Sequence, residues 1–137
     1  MNVGLVIVTH YRLGEEFLQA LRLIVPEAPE VHPVSVDPSQ SVDEMRGAIA
    51  DALKAAEAGD GVLVLTDMFG GTPSNISLSF LDEHHVEVVT GVNLPMLIKL
   101  VTMREEKPLE ELAVFIKDYG QRNISVASEL LPEGRPS

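Results

Sequence analysis

The sequence predicts an α/β domain built on a doubly wound, mainly parallel sheet of strand order 2-1-3-4, with helices on both faces. Three observations carry that prediction. Apolar runs such as Val3–Val8 and the stretch after Gly61 are continuous instead of alternating, as strands covered on both faces are. Segments with apolar residues at helical spacing lie between them. The 137 residues contain no internal repeat and no interdomain linker.

Val3–Val8 forms the first strand. Phe17, Leu18, Leu21, Ile24 and Val25 then share one helical face, predicting a helix over residues 14–25 that Pro26 and Pro29 end. Val31–Val36 is a second, shorter strand. Ser41-Val42-Asp43-Glu44 has the S-x-x-E form of a capping box, in which each side chain satisfies the other residue's unpaired backbone N–H. Val42, Met45, Ile49 and Leu53 continue one face of that helix toward a stop at Gly59. Gly61–Thr66 is the third strand, and Pro73 suits the first turn of a short helix near residues 73–81 with Thr72 as N-cap. Val86–Thr90 is the fourth strand, and Pro95 begins a helix through Met103. Pro108 starts the last helix, with Leu109, Leu112, Ile116 and Tyr119 facing inward, and Ile124–Ala127 is one more short strand. One domain is expected over residues 1–130, with a flexible tail over 131–137 that lacks apolar periodicity.

Composition narrows the class. Hydrophobic residues at 45% can fill a core that a disordered chain would lack. The absence of cysteine excludes disulfides, thiolate catalysis, cysteine-ligated zinc and iron–sulfur clusters, and it fits a reducing cytosol. The opening residues lack a basic leader, and their apolar run is far shorter than the ~20 residues of a membrane helix. A cytoplasmic protein without membrane insertion is therefore expected. A net charge of −11 opposes binding to nucleic acid, which relies on Lys and Arg, and suits a partner with a basic patch.

In a doubly wound sheet, ligands sit at the carboxyl ends of the strands where the winding reverses. For order 2-1-3-4 these ends are Thr9-His10-Tyr11 and Thr66-Asp67-Met68-Phe69-Gly70-Gly71-Thr72-Pro73. Neighbouring strands lie about 4.8 Å apart, so His10 and Asp67 can touch. A carboxylate bonded to one imidazole nitrogen fixes the tautomer and stabilises a developing imidazolium, leaving the second nitrogen as nucleophile or ligand. A phosphoryl group on that nitrogen needs hydrogen-bond donors. Gly70, Gly71 and Thr72 provide backbone N–H groups at the start of a helix, where anions are favoured. Thr9 and Thr66 support the pair from the strand ends. Each feature alone is common in α/β proteins; their convergence on one crevice points to a histidine-centred site. His32, His84 and His85 fall outside it. Adjacent histidines point to different faces and no third ligand accompanies them, so they read as surface polar residues and no metal site is expected.

Val-Ile-Val-Thr-His10 resembles the phosphorylation segment of mannose-type EIIA domains of the bacterial sugar phosphotransferase system. Leu65 to Asn75 is similar to that family's D-x-x-G-G-[ST]-P-x-N loop, and Thr90 to Met96 resembles its G-V-N-[LI]-P-M signature. The three segments stand in family order, and the likeness runs from about Asn2 to Leu130. The resemblance implies a phosphotransferase without a cofactor: His10 accepts a phosphoryl group from the carrier HPr and passes it to a histidine on an EIIB domain. It implies that Asp67 orients His10, that Gly71 and Thr72 hold or screen the phosphoryl oxygens, and that Asn93 supports the crevice. It makes Met68 and Phe69 candidates for an apolar rim touched by partners, and it implies a homodimer in which Ile124–Ala127 pairs with the partner's sheet. The alternatives are a regulatory phosphoprotein that acts by phosphorylation-dependent binding, and the phosphocarrier subunit of dihydroxyacetone kinase. One departure stands out. The family commonly has glycine directly after the phosphorylated histidine, where this chain has Tyr11 and then Arg12; a positive φ there would strain tyrosine.

Overall fold

A computed structural model describes residues 2–83 and 85–133. Within it, β1 (Gly4–His10), β2 (His32–Val36), β3 (Val62–Thr66) and β4 (Val86–Thr90) form one parallel sheet in the order β2-β1-β3-β4. The two inner strands carry the most continuous apolar runs. Val6, Ile7 and Val8 are fully buried, as are Leu63 and Leu65, because both faces of the sheet are covered. On the edge strand β4 the run is interrupted by Glu87.

The helices divide between the faces. On one side α1 (Leu13–Ile24), α4 (Leu94–Thr102) and α5 (Leu109–Arg122) bring Leu18, Leu21, Leu97, Leu109 and Ile116 onto Ile7, Leu63 and Leu65. On the other, α2 (Val42–Ala56) brings Met45, Ile49 and Leu53 onto Val6, Val8 and Val64, α3 (Thr72–Leu78) adds Ile76, and Phe80 joins from just beyond α3. Each such aliphatic side chain contributes about 1.5–3 kcal/mol by leaving water. The capping box forms in full: the Glu44 N–H donates to Ser41 Oγ and the Ser41 N–H to Glu44 Oε1, both at 3.1 Å.

Two sequence expectations need correction. Helix α3 begins at Thr72 itself, so Gly71 holds the N-cap position and no side chain caps the helix. Pro73 still occupies the first turn, where its missing N–H has no partner to lose. The short strand expected at Ile124–Ala127 is absent among the described residues: residues 124–126 have no regular structure, and Ala127–Leu130 is a single 3-10 turn. A strand exists only by pairing with a neighbour, and the sheet of this chain contains only β1 to β4. Ile124 and Val126 are instead exposed. Of the expected tail, residues 134–137 lie outside the described residues, as does His84.

One contact was not flagged by sequence pattern. Gly4 opens β1 directly against the end of α2, where a Cβ would lie 2.1 Å from the Ala56 carbonyl oxygen and 2.6 Å from its carbon. These are backbone atoms and cannot rotate aside. Gly4→Ala should lower stability by about 1–3 kcal/mol, the usual range for overpacking, measured by urea denaturation. An unchanged midpoint would mean that α2 slides freely along the sheet.

Candidate functional site

Strand β1 runs two residues past the end of its pairing with β3, where Val8 lies opposite Thr66. On the other side it stays paired with β2 to its last residue, His10 opposite Val36, and the following Tyr11 N–H donates to the Val36 carbonyl at 2.8 Å. Backbone N–H groups alternate sides along a strand, so the His10 N–H points toward β3, which has already ended. A side chain takes the place of the missing ladder partner. Asp67, the first residue after β3, accepts the His10 N–H on Oδ2 at 3.0 Å. The same oxygen lies 2.8 Å from His10 Nδ1. The Met68 N–H donates to Oδ1 at 3.1 Å, which fixes the carboxylate in its turn. An ionised carboxylate only accepts, so Nδ1 carries a proton, and in the neutral ring Nε2 then presents its lone pair. The exposures divide the work: the Asp67 side chain is 11% accessible and the His10 ring 45%.

The Nε2 edge of the ring faces the glycine turn. A Cβ added to Gly71 would lie 2.6 Å from His10 Cε1 and 3.0 Å from Nε2, so only glycine permits this approach. Gly70 has φ +91°, a second position that suits glycine, and its N–H makes a long 3.5 Å contact to the Ser74 hydroxyl. The N–H groups that open α3 have no partner within the helix and lie at its electropositive end. Thr72 stands at that start.

Tyr11 has φ +47°, the left-handed region that the sequence departure raised as a source of strain. For a non-glycine residue this costs about 1–2 kcal/mol. The turn is held from inside by Thr9, which is fully buried: its hydroxyl accepts the Gly14 N–H at 2.7 Å and donates to the Tyr11 carbonyl at 3.3 Å. Gly14 has no side chain to push this bond apart, since a Cβ there would lie 3.1 Å from the Thr9 hydroxyl. Neither Gly14 nor the Val36 carbonyl stood out in the sequence. A buried polar residue just before the histidine was the one available signal. Arg12 pairs with Glu15 at 2.8 Å in the first turn of α1.

Thr66 is also fully buried, and its carbonyl accepts the N–H groups of Gly91 and Val92, which ties the loop after β4 to the end of β3. Asn93 caps α4 by accepting the Met96 N–H, and its amide donates to the Gly120 carbonyl at 3.1 Å. It therefore joins α4 to α5 and makes no hydrogen bond to His10 or Asp67. Met68 and Phe69 are 53% and 71% exposed beside the pair. Outside the crevice, His32 lies 3.8 Å from Glu30, and His85 Nε2 lies 3.1 Å from Glu110 at the start of α5. The Glu110 carboxyl is held below its ordinary pKa, first by its own backbone N–H and then by His85. No cluster of potential metal ligands occurs among the described residues.

A family profile described as "PTS system fructose IIA component", EIIA-man, matches residues 4–117. The chain belongs to the EIIA-man family. It is 29% identical over 126 residues to the "PTS system mannose-specific EIIAB component" of Escherichia coli K12, covering 90% of this chain and 39% of that relative. The chain thus spans about two fifths of that longer protein. It is 38% identical over 81 residues to the "PTS system fructose-specific EIIA component" of Bacillus subtilis, covering 58% of this chain and 56% of the relative. Among solved structures, the mannose/sorbose-specific IIA subunit from Enterococcus faecalis superposes with a TM-score of 0.83 at 30% identity, covering 92% of this chain and 95% of that one. EIIA-man components are phosphoryl-relay proteins of the phosphotransferase system, and the parallel 2-1-3-4 sheet of this member agrees with its structural neighbours.

The close approach of Gly71 to the ring makes a specific prediction for this EIIA-man protein. Gly71→Ala should leave the fold intact but displace His10 from Asp67. Nitrogen-15 spectra of the imidazole should then show the Nδ1–H tautomer giving way to a mixture. An unchanged ring spectrum would show that the α3 turn yields instead.

Proposed function

We propose that this EIIA-man protein carries a phosphoryl group on His10 Nε2, accepting it from phospho-HPr and passing it to a histidine of an EIIB domain during sugar uptake. The observation that carries this reading is the double engagement of Asp67 Oδ2 by the backbone N–H and the Nδ1 of one histidine, which leaves Nε2 against Gly71. In the forward step the Nε2 lone pair attacks phosphorus, and an N–P bond forms as the donor's N–P bond breaks. The electron pair of the broken bond returns to the donor's ring nitrogen. His10 gains positive character as the new bond forms, and Asp67 stabilises it. The negative oxygens in flight are met by the backbone N–H groups of Gly70, Gly71 and Thr72. Each helix-end interaction of this kind contributes about 0.3–1 kcal/mol at an exposed site, enough to steer a phosphoryl group without trapping it. The reverse step, onto EIIB, uses the same atoms.

The chemistry needs no cofactor in this reading; it rests on positioning and fixed electrostatics. Residues 1–130 act as one phosphocarrier unit in the cytoplasm, and no described helix is long and apolar enough to cross a membrane. A homodimer draws support from two features. Among the described residues, strand β4 pairs with β3 alone, leaving its other edge open, and Ile124 and Val126 expose apolar side chains on a segment outside the sheet.

Incubation with phospho-HPr should add one acid-labile phosphoryl group, read by intact mass, and His10→Ala should accept none. Labelling that persists in His10→Ala would refute the assignment. Asp67→Ala should still fold, at a small cost in stability from the His10 N–H left without its acceptor, and should transfer about 10²–10⁴-fold more slowly as the imidazole loses its orienting group. A rate within threefold of wild type would leave Asp67 without a role in transfer.

A further inference from the structure

We infer that Tyr11 is a docking residue, whose ring is the contact through which a protein presenting a surface phosphohistidine is recognised at His10. The inference rests on the phosphocarrier reading and extends it to partner selection. Its starting point is a conflict. Tyr11 adopts φ +47°, a conformation that glycine holds without strain, yet the position carries one of the largest side chains available. Strain of this sort persists where surrounding structure over-determines it and something is gained from it. The over-determination is visible: Tyr11 N–H is bonded to Val36, its carbonyl to the Thr9 hydroxyl, and Thr9 to Gly14.

The fold itself does not use the ring. Tyr11 is 59% exposed, and neither core cluster includes it. What the position does offer is proximity. Adjacent Cα atoms are about 3.8 Å apart, and reacting atoms must approach within roughly 3–3.5 Å before transfer. A protein that brings its phosphorus atom to Nε2 therefore meets whatever stands at residue 11. Leu13, Met68 and Phe69, which follow closely on His10 and Asp67 in the chain, are likewise exposed apolar residues, at 46%, 53% and 71%. Tyrosine is among the residues that dominate binding energy at such contacts, because its rigid ring buries area with little loss of rotamer freedom. The net charge of −11 selects for a partner whose phosphohistidine is flanked by apolar and basic side chains.

The test compares two phosphoryl donors on the full chain. One is phospho-HPr, which must dock. The other is phosphoramidate, a small donor with no surface to recognise. In Tyr11→Gly the ratio of the phospho-HPr rate to the phosphoramidate rate should fall about tenfold, through KM for the protein donor, and Tyr11→Phe should restore most of it. A ratio within twofold of wild type would overturn the inference, including the case where both rates fall together because the His10 loop has loosened. The melting temperature of Tyr11→Gly should stay within about 4 °C of wild type, because released strain opposes the extra unfolded-state entropy of glycine. A larger fall would show that the ring packs within the fold and would equally overturn the proposal. If wild-type protein accepts no phosphoryl group from either donor, the phosphocarrier reading itself fails, and that result is distinct from an unchanged ratio.

Discussion

One carboxylate oxygen performs two tasks at the mouth of the sheet, and the geometry of the crevice follows from it. Asp67 Oδ2 replaces the ladder partner that β3 no longer supplies to the His10 N–H, and it also fixes the imidazole through Nδ1. The first task is structural, because an unpaired N–H at the end of a half-buried strand costs stability. The second is chemical. Because one atom serves both, the ring cannot be reoriented without also disturbing the end of β1. This arrangement requires a parallel sheet in which β1 outruns β3 by two residues, and it falls where the winding reverses between them. Were β1 and β3 matched in length, the backbone of β3 would occupy the position that the carboxylate takes.

The turn after His10 shows the opposing pressure. Thr9 is buried with its hydroxyl fully engaged, so the chain must leave β1 sharply, and the left-handed residue falls at position 11 whatever its side chain. Glycine would satisfy the backbone, and tyrosine satisfies it at a cost. Met68 and Phe69 repeat the pattern across the crevice, where two large apolar residues stay in water instead of joining a core that begins two residues away at Thr66. Local stability alone does not account for these three side chains. Under the phosphocarrier reading a docking surface accounts for them, since their burial is then deferred to the complex.

Much of this was legible in the sequence because it is written in short-range terms. Continuous apolar runs marked strands covered on both faces, and Ser41 with Glu44 marked a helix start that the structure reproduces bond for bond. The strand order located the crevice, and the residues at the ends of β1 and β3 named its contents. What stayed hidden depends on the meeting of distant backbone. Gly4 faces Ala56, and Gly14 sits under Thr9, and neither contact has a local signature. The misplaced cap at Thr72 is an error of one residue, of the size expected at helix ends. The strand read at Ile124–Ala127 is a different case, since it finds no pairing partner among the described residues of this chain. Its β-branched residues are real, but a strand is a relation between two chains of backbone, and the sequence shows only one of them.

The distribution of open space bears on what reacts here. A cavity of about 650 Å³ is lined by Ala50, Leu53, Lys54, Val62 and Val86, and therefore lies by the amino ends of β3 and β4. His10 stands at the carboxyl ends, at the far side of the sheet. Small-molecule chemistry favours the opposite arrangement, with the reactive group inside a pocket that buries most of the ligand and excludes water. A ring that is nearly half exposed, on a rim of exposed apolar side chains, offers a small substrate little to hold. It offers a protein much more. In the proposed relay, the partner brings its own surface, closes the crevice on contact, and expels water only while the two histidines face each other. Under the phosphocarrier reading, the missing walls of the site are therefore supplied by whichever protein is giving or taking the phosphoryl group. The shielded carboxylate and the glycine turn need only keep Nε2 aimed outward between encounters.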